Sequence, residues 1–133
     1  MFRYLLPAML LIATAAAAAP VCDGQYVTIR VSKLKAGGTM TGFAEAAKAN
    51  ADWYKAKGLT DNMIVTAPIM TRAGGVVKAS AGRIATLHVN GAKAPEHKGD
   101  AGWDAFVAKY QANSTIESET RLCLPKGTML VAR

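Results

Sequence analysis

The sequence predicts an α+β domain with the element order β-α-β-β-α-β, and three observations carry that expectation. Period-two alternation of apolar and polar residues runs through 25–34, 83–90 and 118–124. An alanine-rich segment and an amphipathic one, both at helical spacing, stand between those stretches. Gly- and Pro-containing turns punctuate the chain wherever the periodicity changes.

In chain order, "QYVTIRVSKL" at 25–34 is a strand with Val27, Ile29 and Val31 on one face and Tyr26, Thr28, Arg30 and Ser32 on the other. "KAGGT" at 35–39 is a turn, and Thr39 or Thr41 caps the helix that follows. That helix occupies 42–57, with Phe43, Ala47, Ala51 and Tyr54 on one stripe, and Gly58 stops it. "NMIVTAPIM" at 62–70 is a second strand, where Pro68 marks a bulge or an edge. Residues 71–82 read as a glycine-rich connection with room for a small hairpin. "RIATLHVN" at 83–90 sets Ala85, Leu87 and Val89 against Ile84, Thr86, His88 and Asn90. After a polar loop, "WDAFVAKYQAN" at 103–113 places Trp103, Phe106, Val107 and Tyr110 on one helical stripe. The last strand, 118–124, alternates Thr120, Leu122 and Leu124 with Glu119, Arg121 and Cys123; Pro125 ends it, and 127–133 suits a short terminal strand.

This order is the ferredoxin-like, or split-βαβ, arrangement: a four-stranded antiparallel sheet with both helices on one face. The aliphatic faces, Val27/Ile29/Val31 and Ala85/Leu87/Val89, are expected to take the helices and leave the polar faces open. The first and last strands become antiparallel neighbours. Cys22, just before the first, then meets Cys123, near the end of the last, and the two are expected to form a disulfide.

The first 19 residues read as a signal peptide: Arg3, then an apolar run ending in alanines, too short to cross a bilayer. Cys22 follows Pro20 and Val21 rather than a small residue, which argues against a lipid anchor. A single domain over 20–133, in the periplasm or secreted, is the expected product. The whole chain carries 16 Lys and Arg against 9 Asp and Glu, for a net charge of +7. Those basic residues are scattered, without runs or interleaved aromatics, so a nucleic-acid partner is not expected. No nucleotide-binding, haem-attachment or hydrolase motif occurs, and "PEHKGD" at 95–100 lacks the geometry of a metal site; neither cofactor nor metal is expected.

"GFAEAAKANADWYKAKGLTDN" and "DAGWDAFVAKYQANSTIESETRLCLPKG" resemble small exported proteobacterial proteins of the dimeric α/β-barrel superfamily. That superfamily includes cofactor-independent monooxygenases, haem-degrading enzymes, isomerases and proteins without a known reaction. The resemblance implies a homodimer in which two open sheet faces enclose a cavity. On that face the ligand-binding candidates are Tyr26, Thr28, Arg30, Thr86, His88 and Arg121, with Ser32, Thr66, Met70 and Glu119 beside them. His88 is the one candidate catalytic base, with an ordinary pKa near neutrality. Arg30 and Arg121 suit a carboxylate, or pair with Glu119 across strands. The leading expectation is an envelope protein that binds a small anionic or aromatic ligand without turning it over. The other is a cofactor-independent monooxygenase or isomerase that uses His88 with an arginine.

Overall fold

A computed structural model of the chain describes residues 22–90 and 96–128. Its elements are β1 (Gln25–Leu34), α1 (Met40–Ala56), β2 (Met63–Ala73), β3 (Val76–Val89), α2 (Ala101–Asn113) and β4 (Ser114–Leu124). The strands form one antiparallel sheet in the order β2-β3-β1-β4, the ferredoxin-like topology. The expected signal peptide and the terminal strand beyond Thr128 lie outside the described residues. No described helix is long and apolar enough to cross a membrane.

Capping fixes where each helix starts. Thr39, not Thr41, caps α1: its Oγ1 accepts from the Gly42 amide at 2.9 Å. Gly42 itself is required by packing, since a Cβ there would sit 2.3 Å from Asn113 Oδ1. That same oxygen accepts from the Thr39 amide at 3.1 Å, so the start of α1 is tied to the end of α2. α2 begins before Trp103, because Asp100 caps it: Oδ1 accepts from the Trp103 amide at 3.0 Å and from the Trp53 indole at 2.9 Å. Lys57 pairs with the other oxygen of Asp100, and these bonds hold its carboxyl well below the usual carboxylate range.

Two stretches that read as connections are strand. The glycine-rich 71–82 segment is the far part of a β2–β3 hairpin, closed by Gly74 and Gly75 at φ 56° and 81°. Two successive positive φ values suit a two-residue turn that follows the twist of the strands. The register shifts between Pro68 and Met70, the irregularity foreseen at Pro68. β4 begins at Ser114 with no intervening loop, four residues earlier than alternation indicates. Ile116, Glu117 and Ser118 show no alternation because this edge strand is exposed along nearly its whole length.

Which face the helices cover is a correction to the sequence reading. Ile64 pairs with His88, which pairs with Thr28, so these three share a face. Ile64 also packs against the cluster of Trp53, Tyr54 and Phe106 from α1 and α2. The helices therefore lie over the polar face, and Ile29, Val31, Leu87 and Leu122 point to the other side. Phe43, 1% exposed, anchors α1 and meets Tyr110 of α2 edge to face at 5.2 Å between ring centres.

Cys22 and Cys123 are disulfide-bonded with their Cα atoms 5.5 Å apart, as the strand order requires. Cys123 stands opposite Tyr26 in the β1–β4 register.

Candidate functional site

A cavity of ≈820 Å³ lies between the polar face of the sheet and the two helices. That volume falls within the roughly 300–1,000 Å³ of small-molecule sites. Tyr26, Thr28, Arg30, Thr86, His88 and Arg121, the six residues singled out from the sequence, all line it. They converge because β1, β3 and β4 are adjacent and in register: Thr28 faces His88 and Arg121, and Arg30 faces Thr86 and Glu119. Ser32 also lines the cavity, whereas Thr66 and Met70, on the outer strand β2, do not. Met70 is 55% exposed.

Side chains from the helices form the opposite wall, among them Asn50, Tyr54, Phe106 and Tyr110. Asn50 was not anticipated from the sequence. The available signal was a lone polar residue on the buried stripe of α1, seven residues after Phe43 and four before Tyr54. Asn50 is buried, and neither its Oδ1 nor the Tyr110 hydroxyl makes a hydrogen bond of normal geometry, although the two lie close enough to influence each other. Burial raises the pKa of both Tyr110 and Tyr54, so each keeps its hydroxyl proton at neutral pH.

His88 is 6% exposed, and its Nε2 lies 3.2 Å from Thr86 Oγ1. Burial, reinforced by the nearby Arg30 charge and opposed by Glu119, pushes its pKa down to about 4. The imidazole is therefore uncharged at neutral pH, which corrects the expectation of a group titrating near neutrality. Arg30 and Arg121 share one carboxylate. Arg30 Nε donates to Glu119 Oε2 at 2.7 Å, and Arg121 Nη2 lies 2.8 Å from Glu119 Oε1. The cross-strand pairing read as an alternative to a ligand clamp is thus present, and both arginines still line the cavity.

The described part of "PEHKGD", 96–100, contributes packing and capping. His97 stacks on Trp103 with ring centres 3.6 Å apart, and Asp100 caps α2. No group of three His, Cys, Asp or Glu among the described residues is placed to hold a metal. No protein-family model, curated protein or solved structure matches the chain.

Proposed function

We propose that this chain is an exported small-molecule-binding protein of the cell envelope, built like the dimeric α/β-barrel proteins, whose cavity holds a small anionic or aromatic ligand. One observation carries this reading. Arg30, Lys35 and Arg121 line the cavity, and no described carboxylate does. A surplus of cations at the mouth of a cavity walled by aromatic rings favours an anion with an apolar body. The Cys22–Cys123 disulfide supports an oxidising compartment, in keeping with the leader-like first 19 residues. A homodimer belongs to the same reading, with its seam on the aliphatic face that the helices leave uncovered. The test is calorimetric titration of aromatic and aliphatic carboxylates into the protein and into Arg30→Met. Binding to the wild type should weaken by about 1.5–3 kcal/mol in the variant, the range for charged hydrogen bonds. Equal binding by both proteins would place the anion elsewhere.

His88 favours a second reading, a cofactor-independent monooxygenase or isomerase. A buried, uncharged imidazole on a cavity wall is already in the form of a general base. Under that reading a ketonic substrate exchanges a C–H proton with solvent, or a phenolic one consumes oxygen, in the presence of the wild type, and His88→Gln stops it.

A further inference from the structure

Both cavity arginines depend on one acid that is not itself in the cavity wall. Glu119 stands opposite Arg30 in the β1–β4 register and uses one carboxylate oxygen for each guanidinium, at 2.7 and 2.8 Å. Arg30 and Arg121 line the cavity and Glu119 does not. Arg30 engages Glu119 through Nε, and its two terminal nitrogens donate to no described residue. The arrangement therefore sets guanidinium groups on the cavity wall with a fixed negative charge beside them. Two cations and one anion sum to a single positive charge at that end of the site. Lys35, the remaining cation, is committed to the Gln111 carbonyl at the exposed rim, where solvent and salt screen it.

We propose that Glu119 is the specificity-determining residue of the cavity, setting it to accept a singly charged acid and to reject a doubly charged one. The proposal rests on reading the cavity as an anion site. A monocarboxylate meets the one net positive charge, with its apolar body against the aromatic wall. The second carboxylate of a dianion has only the solvent-screened Lys35 at the rim as a further cation, and it enters the field of Glu119. Specificity of this kind comes from a repulsive element built in beside the attractive one. The guanidiniums stay usable because Glu119 occupies only one nitrogen of each.

Matched acids that differ by one carboxylate provide the test: benzoate against terephthalate, 1-naphthoate against naphthalene-1,4-dicarboxylate, and hexanoate against adipate. Each is titrated calorimetrically into the disulfide-bonded wild type, Glu119→Gln and Arg121→Gln, after circular dichroism confirms that the variants fold. In the wild type the monoanion of a pair should bind more tightly. Glu119→Gln should narrow the gap by about tenfold, because removing one charge acts twice as strongly on a dianion as on a monoanion. Arg121→Gln, which leaves no net charge in the cluster, should weaken monoanion binding by a similar factor. If acids bind but Glu119→Gln leaves the ratio unchanged, the role given to Glu119 is wrong and the anion site stands. If no acid of any pair binds the wild type, the anion site falls and the role of Glu119 with it.

Discussion

On one side of the sheet, Thr28, Thr86 and His88 are 2–6% exposed beneath the helices; on the other, Val27, Ala85 and Val89 are just as buried, at 0–6%, while Ile29, Val31 and Leu87 are half-buried and Leu122 is 37% exposed. The usual assignment, aliphatic residues toward the helices and polar residues toward water, is inverted here. Polar groups can be covered when they have partners and a cavity among them. His88 has Thr86, Arg30 has Glu119, and the ≈820 Å³ beneath the helices lies among them. The helices meet one another and the sheet through aromatic side chains around that cavity, so the apolar contact comes mainly from α1 and α2. On the aliphatic face Val27, Ala85 and Val89 are already buried, and pairing with a second copy is the proposed cover for the partly open Ile29, Val31, Leu87 and Leu122.

The sharpest test of that contrast is to truncate a side chain on each side. Phe43→Ala, which removes a ring 1% exposed between α1, α2 and the cavity, should cost about 3–5 kcal/mol in urea unfolding. Leu122→Ala on the opposite face should cost about 1 kcal/mol or less at concentrations where the protein is monomeric. Comparable losses at the two sites would mean that the faces are not differently covered.

The next effect is a pH dependence. The folded pKa of His88, about 4, lies below its ordinary 6.5, so the unfolded chain takes up the proton first. Stability contributed by the neutral imidazole is complete above pH 6.5 and declines as the pH falls toward 4, by about 3 kcal/mol in all. Urea unfolding across that window should show the decline in the wild type, and His88→Gln should remove most of it. Glu119 and Glu117, held low by Arg30 and Arg83, lose their contribution as the pH falls through the ordinary 4.5 and below, so they overlap only the bottom of that window and the decline between about pH 6.5 and 5 belongs to His88. An unchanged slope in His88→Gln would show that the polar face is wetter than its burial indicates.

The smallest expected effect on the protomer comes from Leu87→Lys. The half-buried side chain is on the aliphatic face, so folding and cavity binding should change little, while light scattering should fall from twice the protomer mass to one. A mass that stays doubled would move the seam off this face.

The strands and helices were legible because β1 and the second half of β3 alternate cleanly and α1 and α2 carry continuous apolar stripes. The disulfide followed from topology alone. Three features were not legible, each for a physical reason. The β2–β3 arm has both sides in water, so nothing imposes alternation, and its glycines belong to the turn. The start of β4 is exposed in the same way. The covered face was misread because period-two patterning separates the two sides of a strand without saying which one is covered. The six candidate residues still line one cavity, since they share a face whichever way that face points. Asn50 was missed because its role depends on the helix being laid over that face.

The bond between Cys22 and Cys123, separated by 101 positions, spans nearly the whole described chain. Covalently the domain is a ring. A single proteolytic nick anywhere between the two cysteines opens that ring into one linear molecule and releases no fragment, and the two new ends remain tethered through β1 and β4. Reducing agent would be needed before a nicked protein ran as two pieces on a denaturing gel. Wherever proteases reach it, survival of a cut is a different form of robustness from resistance to unfolding.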